Sequence, residues 1–185
     1  MGKIVVTMFM TLDGVMEAPQ EWSFQFASPE QNQFKVGEMI AADALLLGRV
    51  TYEGFAAAWP GRTDEAGFAD RMNGVPKYVV STTLKQADWN NSHIVGPDLA
   101  HEVARIKALH QGDILVAGSA QLVRALLRAG LVDEYRLMIF PIVRGKGKRL
   151  FDEGLDTTSF TLASSAIFSS GTAVLTYRPA EAPKA

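Results

Sequence analysis

The sequence contains no cysteine. This absence excludes disulfide bonds, a thiolate nucleophile, and any zinc or iron–sulfur site that depends on cysteine ligands. The three histidines, His93, His101 and His110, are not spaced as a metal-binding pair on a helix, so no metal site is predicted. Chemistry must therefore come from other side chains, from the backbone or from a bound cofactor.

The sequence also lacks an excess of basic charge. It has 18 Lys and Arg residues against 20 Asp and Glu residues, a net charge of −2, and no segment gathers enough cations to form an extended basic surface. Nucleic acids and anionic membranes are therefore poor candidates for a partner. A small-molecule substrate is the better expectation.

Long apolar runs are missing as well. No stretch of 18 apolar residues is present for a membrane span, and the apolar run near the N-terminus ends at Asp13 and Gly14 without a small-residue cleavage site. We interpret this run as a buried first strand and not as a signal peptide. The expected location is the cytoplasm.

The residues that are present favour one globular α/β domain over residues 1–178, followed by a flexible tail over residues 179–185. Apolar runs of strand length alternate with helical patterns, which predicts a mixed, mostly parallel central sheet with helices on both faces. The predicted strands cover residues 3–10, 44–47, 77–81, 93–95, 113–117 and 134–142. Predicted helices follow Ser28, cover residues 98–110, and follow Ser119.

The last third of the chain has a different pattern. Residues 159–168 and 173–177 are strand-like and are joined through Ser169-Ser170-Gly171-Thr172, which predicts an antiparallel hairpin at the edge of the sheet. This hairpin and the long strand over residues 134–142 offer edges that a second copy could cover, so a homodimer is a possible assembly.

The first candidate site lies where a predicted strand ends at Gly48 and the chain turns into a helix. The first backbone N–H groups of a helix have no intrahelical acceptor, and with the Arg49 guanidinium and the Thr51 hydroxyl they favour a phosphate. Glycine lets the ligand approach the main chain. The alternative is that Gly48 only forms a tight turn and Arg49 a surface ion pair. The pattern leaves both interpretations open.

The second candidate repeats the order of strand, glycine and helix in Val116-Ala117-Gly118-Ser119-Ala120-Gln121-Leu122. Ligands of open α/β sheets bind beyond the carboxyl ends of the strands, so two such junctions on neighbouring strands would hold the two ends of a pyrophosphate. The alternative is that Ser119 simply caps its helix.

The third candidate is Asp13-Gly14, directly after the first strand, followed by a loop that contains Trp22. An acid at a strand end under an aromatic loop is suited to face a substrate and to take part in hydrogen bonding or proton transfer. The alternative is that Asp-Gly forms only a turn, which is its commoner role.

Two other patterns carry less information. Gly145-Lys146-Gly147-Lys148-Arg149 lacks the four-residue spacer and the Ser or Thr of a nucleotide-hydrolase loop, and we interpret it as a mobile basic loop. The Gly-x-Ser-x-Gly pattern of serine hydrolases does not occur around Ser119.

Five sequence motifs, taken together and in their order along the chain, give this sequence a resemblance to a known family. The family is the C-terminal reductase domain of riboflavin biosynthesis with its dihydrofolate reductase-like relatives. The motifs are spread over most of the chain. They are Thr11-Leu12-Asp13-Gly14, Leu47-Gly48-Arg49-Val50-Thr51-Tyr52-Glu53, Lys77-Tyr78-Val79-Val80-Ser81-Thr82-Thr83-Leu84, Val116-Ala117-Gly118-Ser119 and Ala129-Gly130-Leu131-Val132-Asp133-Glu134.

The resemblance implies a three-layer fold of about eight strands, with NADPH across the carboxyl edge of the sheet. By that likeness Gly48, Arg49 and Thr51 meet the cofactor phosphates. Ser81 and Thr82 meet the adenosine end and its 2′-phosphate. Residues 116 and 118–122 meet the pyrophosphate and the nicotinamide. Relatives of this kind are often dimers.

The resemblance also limits the substrate. The riboflavin enzymes usually carry an acidic residue directly before the second glycine, where this chain has Ala117, and their fused deaminase needs cysteines that this chain lacks. We therefore expect NADPH-dependent hydride transfer to another small planar or carbonyl-bearing molecule, held near Asp13, Gly14, Trp22 and Ala117, with Asp13 in the polar catalytic role. The alternatives are a nucleotide- or pterin-binding module without efficient catalysis, and a structural protein that binds no NADPH.

Overall fold

A computed structural model describes residues 1–151 and 154–180, and it divides them into eight strands and five α-helices. The strands are β1 (Lys3–Thr11), β2 (Ala42–Gly48), β3 (Lys77–Val80), β4 (Ser92–Val95), β5 (Asp113–Val116), β6 (Glu134–Phe140), β7 (Phe160–Ile167) and β8 (Ala173–Pro179). The helices are α1 (Pro29–Ala41), α2 (Arg49–Ala58), α3 (Phe68–Gly74), α4 (Leu99–Leu109) and α5 (Ala120–Arg128).

All eight strands form one sheet in the order β4-β3-β2-β5-β1-β6-β8-β7. The six strands from β4 to β6 in that order are parallel, while β8 runs antiparallel to both β6 and β7. The predicted mixed, mostly parallel sheet and the C-terminal hairpin are therefore confirmed.

Helices cover both faces of the sheet. This arrangement is expected because several strands are almost continuous apolar runs, which is typical of strands buried on both faces. On one face Val103 and Ile106 of α4 and Leu122 and Leu126 of α5 pack on alternate residues of the parallel strands. On the other face α1, α2 and α3 contribute Met39, Tyr52 and Met72, which join a second cluster with strand residues of the opposite parity. The three predicted layers are confirmed.

Local signals explain most helix starts. Ser28 caps α1 by accepting the backbone N–H of Gln31, and Asp98 caps α4 by accepting that of His101. Helix α3 was not predicted, because its seven residues include Asp, Asn and Gly, which have poor helix propensity. Its first turn is held by Asp64, whose carboxylate accepts the backbone N–H groups of Phe68 and Ala69.

The C-terminal boundary lies slightly beyond the predicted one. Strand β8 continues through Pro179, which is paired with Phe160, and the Ala180 N–H donates to the Ser159 carbonyl. Residues 181–185 of the predicted tail lie outside the described part of the chain.

Candidate functional site

The carboxyl ends of four parallel strands lie side by side along one edge of the sheet. Strands β3, β2, β5 and β1 are consecutive in the sheet, and they end at Val80, Gly48, Val116 and Thr11. The predicted junctions at Gly48 and Gly118 therefore follow neighbouring strands, because β2 pairs directly with β5. This edge is where ligands of open α/β sheets bind.

The two glycine junctions are in direct contact. The Gly48 N–H donates to the Gly118 carbonyl oxygen at 3.1 Å. A Cβ on Gly48 would lie 2.6 Å from the Ser119 Oγ and 3.0 Å from the Ser119 backbone nitrogen. A Cβ on Gly118, whose φ is +127°, would lie 2.7 Å from the Thr51 Oγ1. Each glycine therefore makes room for a hydroxyl group from the other junction.

Helices α2 and α5 begin at this contact without a side-chain cap. Gly48 occupies the N-cap position of α2 and has no side chain, and Ser119 occupies that of α5 without making a cap hydrogen bond. In the described part of the chain the other three α-helices each receive a side-chain oxygen at their first turn. The predicted cap from Ser119 is therefore not formed, because its hydroxyl lies against Gly48 instead.

Several residues predicted to contact a cofactor can do so only through their backbone. Val116, Ala120 and Leu122 have buried side chains that are at most 5% exposed. Gln121, between the last two, is exposed. The free backbone N–H groups of the first turn of α5 remain the chemically relevant donors at this junction.

Arg49 lies at the surface of the first turn of α2. Its Nη1 contacts both carboxylate oxygens of Glu53, at 3.0 and 2.9 Å, in an exposed pair one helical turn apart. Exposed pairs of this kind are weak, about 0.3–0.5 kcal/mol, so a phosphate can displace Glu53 from the guanidinium.

Ser81 and Thr82 follow β3 at the same edge. The Ser81 Oγ accepts the backbone N–H groups of Thr83 and Leu84 at 3.2 and 2.9 Å, which forms a tight turn and leaves Thr82 exposed. This edge therefore carries the hydroxyl groups of Ser81 and Thr82 next to β2, in addition to those of Thr51 and Ser119 at the glycine junctions. Such a row of hydroxyl groups suits an extended polar ligand.

Asp13 is held by several donors. Its Oδ1 accepts from the Thr11 hydroxyl at 2.6 Å and the Arg144 N–H at 3.1 Å, and its Oδ2 accepts from the Gly145 N–H at 2.8 Å. The bond from Thr11, followed by that from Arg144, lowers the pKa of Asp13 from 3.8 to about 2. These bonds stabilise the anion, so we expect Asp13 to accept hydrogen bonds at neutral pH.

The segment 144–149 is tied to the loop after β1, in contrast to the predicted mobile loop. The Met16 N–H donates to the Lys148 carbonyl at 2.9 Å, and the Leu150 N–H to the Gly14 carbonyl at 3.1 Å. Gly147 has φ +117°, and a Cβ there would lie 2.8 Å from Val15. The glycines of the basic motif are a sequence signal for this close packing. The prediction of a mobile loop did not take this signal into account.

Ion pairs add to the same contact between the two loops. Arg144 pairs with Glu21 at 3.2 Å and Lys148 pairs with Glu17 at 3.4 Å. The Arg149 Nε also donates to the Asp13 carbonyl at 2.9 Å. These basic side chains were not among the predicted site residues, since their acidic partners lie more than a hundred positions away in the sequence.

Trp22 differs from its predicted position facing a substrate. It is only 2% exposed, its indole Nε1 donates to the Glu17 carbonyl, and its ring meets Phe140 edge-on with centroids 5.3 Å apart. The indole thus anchors the loop in the core. Gly14 and Ala117, the other predicted substrate contacts, are partly exposed near the carboxyl edge.

Within residues 1–151 and 154–180, no helix has the length and apolar character needed to cross a membrane. Nor do these residues contain a group of three or more His, Asp and Glu side chains arranged to hold a metal ion.

The sheet order, the antiparallel hairpin and the helices on both faces define the dihydrofolate reductase-like α/β fold. Dihydrofolate reductase from Enterococcus faecalis, solved with NADP(H) and an inhibitor named RAB-propyl, superposes with a TM-score of 0.65 at 15% identity, covering 97% of this chain and 98% of that one. The chain belongs to the RibD C-terminal domain family, whose model matches residues 2–174.

Two further relatives match nearly the whole length of this chain. The uncharacterized protein YyaP of Bacillus subtilis (strain 168) is 28% identical over 179 residues, which cover 95% of this chain and 94% of YyaP. A candidate riboflavin biosynthesis protein of Shewanella sp. PV-4 superposes with a TM-score of 0.79 at 22% identity, covering 97% of this chain and 99% of that one. The family supports a reductase-like function in general terms.

Proposed function

We propose that the chain binds NADPH along the carboxyl edge of the sheet and uses it to reduce a small molecule. The observation that carries this proposal is the pair of uncapped helix starts at Gly48 and Ser119, on neighbouring strands and in contact with each other. Each helix start offers free N–H groups and the positive end of a helix dipole, which together suit a phosphate.

The surrounding residues fit such a cofactor. Absence of a side chain at Gly48 and Gly118 lets the two junctions pack against each other, and the Thr51 and Ser119 hydroxyls lie at this contact. Arg49 supplies the positive charge beside α2. Ser81 and Thr82 would meet the adenosine end, and the first turn of α5, residues 120–122, would meet the pyrophosphate and the nicotinamide side.

NADPH supplies the hydride when it is bound, and the protein contributes position and electrostatics. In this proposal the substrate lies between Gly14 and Ala117. Ala117 stands directly before Gly118, and its small side chain leaves space but no charge for the substrate. A planar, uncharged or carbonyl-bearing molecule fits this arrangement better than one that needs an acidic partner at that position.

We assign Asp13 a positioning role next to the substrate. As an anion it accepts the backbone N–H groups of Arg144 and Gly145, and so holds the segment 144–149 against the loop after β1. The same observation favours a second candidate function, a nucleotide- or pterin-binding module without efficient catalysis, because Asp13 is not available as an acid. A proton would then have to come from water or from the substrate's surroundings.

The two candidates are separated by NADPH consumption. We expect saturable NADPH binding together with oxidation of NADPH by at least one member of a panel of pterins, flavin precursors, quinones and aldehydes. Saturable binding without consumption of NADPH by any compound would favour the binding module. Absence of NADPH binding would contradict the reductase and would favour the alternatives that bind no NADPH.

We propose that Arg49 bonds the 2′-phosphate at the adenosine end, next to Ser81 and Thr82. Arg49→Ala is therefore expected to weaken binding of NADPH about tenfold more than binding of NADH. Hydrogen bonds to charged groups contribute about 1.5–3 kcal/mol, and 1.4 kcal/mol corresponds to tenfold in affinity. Parallel fluorescence titrations with the two cofactors measure this difference.

Glu53→Gln serves as the matched control for Arg49→Ala, since it removes the partner carboxylate and leaves the guanidinium free. We expect it to retain or strengthen NADPH binding. Equal losses for NADPH and NADH in Arg49→Ala would assign Arg49 to a phosphate common to both cofactors. No change for either cofactor would remove Arg49 from the site.

We also propose that a second copy of the chain pairs with β7. This strand is the last of the sheet, seven of its eight residues are exposed, and it contains no charged residue that would oppose self-pairing. Leu162 and Ile167 on this strand are 51% and 80% exposed. Long uncharged edges of this kind are templates for strand pairing.

Sedimentation analysis tests the pairing. We expect a concentration-dependent dimer that Leu162→Lys combined with Ile167→Lys converts to a monomer, because the added charges repel each other across a self-paired edge. Leu109→Lys, at a site on α4 that is 60% exposed, is the control and should leave the dimer intact. A wild-type protein that stays monomeric at high concentration would contradict the proposal.

A further inference from the structure

A cavity that is open to solvent lies along α1, between this helix and the starts of β5 and β6, away from the glycine junctions. Its volume is about 510 Å³, within the range of small-molecule sites, which is roughly 300–1,000 Å³. Its walls run from Glu30 in the first turn of α1 to Ala41 at the end of the helix, a distance of roughly 16 Å at 1.5 Å per residue.

One end of this cavity is aromatic. Phe34 of α1 and Phe168, which directly follows β7, both line it, with ring centroids 6.1 Å apart and planes inclined by 55°. Between the two ends the helix wall is formed by Gly37, and no atom lies within 4 Å of the position that a Cβ would take there. A flat ring can therefore lie against the phenylalanines and the bare helix backbone.

The charged groups of the cavity differ in whether they are already paired. Glu38 is 5% exposed, accepts the Lys35 ammonium at 2.5 Å, and lies 3.5 Å from Arg136. Asp113, at the start of β5, is bonded to the same Arg136 at 2.8 Å. The charges of the buried Glu38 and the partly buried Asp113 are therefore compensated by basic partners.

Glu30 is the exception. It is exposed beside the aromatic end, and its carboxylate accepts the Ser169 hydroxyl at 3.0 Å, but within residues 1–151 and 154–180 it has no basic partner. The hydrogen bonds from the Glu30 backbone, then from the Ser28 and Ser169 side chains, lower the pKa of this carboxyl group. It therefore stays an anion at neutral pH, and one uncompensated negative charge lies next to an apolar surface.

We propose that this cavity binds a small aromatic cation, with the ring against Phe34 and Phe168 and the positive group beside Glu30. A cation adds a partner for the free carboxylate, and the edge-positive, face-negative charge distribution of the phenylalanine rings also favours it. An anion of the same shape is repelled by Glu30, and a neutral analogue retains only the apolar contact.

This site is independent of the proposed reductase chemistry. None of the residues assigned to NADPH lines the cavity, and Asp113 lies at the opposite end of β5 from Gly118. Binding of the cation and binding of NADPH are therefore expected to be independent of each other. Failure of either proposal leaves the other to its own test.

Benzamidine and benzamide, which share one shape and differ in charge, are the probes. We expect calorimetric or NMR titration of the wild-type protein to give about fivefold tighter binding of benzamidine than of benzamide, the gain of one exposed ion pair. Glu30→Gln is expected to remove this preference while it retains the weaker binding of benzamide.

Gly37→Leu is expected to abolish binding of both probes, because its side chain would take the place of the ring against the helix backbone. Gly54→Leu is the matched control, since Gly54 is also an exposed glycine within a helix that no atom approaches within 4 Å, and it lies on α2 outside the cavity. Circular dichroism confirms folding of each variant. The proposal is overturned if wild-type protein binds both probes equally, binds benzoate as well as benzamidine, or binds none of them saturably.

Discussion

Gly48→Ala is expected to weaken NADPH binding by about tenfold or more. The added methyl group would lie 2.6 Å from the Ser119 Oγ and 3.0 Å from the Ser119 backbone nitrogen, so the two junctions must move apart. Insertion of one methyl into a packed contact typically costs about 1–3 kcal/mol, and 1.4 kcal/mol is tenfold in affinity. A displaced Ser119 no longer presents the N–H groups of α5 next to those of α2. Fluorescence titration with NADPH measures the loss.

Gly112→Ala separates the effect on the site from the effect on stability. A Cβ on Gly112 would also be crowded, though less closely, at 3.0 Å from the Ala41 carbonyl and from Asp43, and it lies at the opposite edge of the sheet. We expect both variants to have a lower Tm and only Gly48→Ala to lose NADPH affinity. Adding Ser119→Gly to Gly48→Ala removes the closest clash and should restore part of the affinity. Unchanged NADPH binding by a folded Gly48→Ala protein would contradict the paired-junction site.

Asp13→Asn is expected to lower kcat by about 10- to 100-fold while the Kd for NADPH changes less than about twofold. The asparagine keeps one acceptor oxygen but loses the charge that holds the Arg144 and Gly145 N–H groups. The segment 144–149 then shifts, and a displacement of about 1 Å at a catalytic site can cost about a hundredfold in rate. Steady-state kinetics and NADPH titration together measure the two constants.

The pH dependence of stability gives Asp13 an independent readout. Its pKa in the folded protein is about 2, below the ordinary 3.8, so the stabilisation by its carboxylate is complete above pH about 4 and disappears as the pH falls through about 2. The difference in unfolding midpoint between wild type and Asp13→Asn should therefore be constant near neutrality and vanish in acid. Glu17→Gln, which removes the exposed pair with Lys148 and keeps an acceptor oxygen for the Lys148 backbone N–H, is the control and should have little effect. Equal losses of kcat and NADPH affinity in Asp13→Asn would contradict the assigned role.

Much of the fold could be predicted from the sequence, since it is encoded locally. Apolar runs of strand length, rich in β-branched residues and in places ended by a glycine, predicted all eight strands to within a few residues. Ser28 predicted the start of α1. Helix α3 was missed because Asp64, which holds its first turn, lies three residues before the N-cap Gly67. The insertion of β5 between β2 and β1 is a property of the whole sheet, and no local pattern indicates it.

In the candidate site, too, features encoded by a short local motif were predicted, and features that depend on distant residues were not. The glycine junctions were predicted because each is a short local motif, and resemblance to a family supported pairing them. The partners of Asp13 were not predicted, because Arg144 and Gly145 follow it by more than 130 positions. Burial of Trp22 depends on Phe140 at the end of β6, so its core position also required tertiary information.

A crystal structure with NADPH bound tests the central claim most directly. We expect phosphate oxygens within hydrogen-bonding distance of backbone N–H groups in the first turns of both α2 and α5, with the adenosine end toward Ser81 and Thr82. Density for the cofactor anywhere else on the protein, or phosphates that contact neither helix start, would contradict the account.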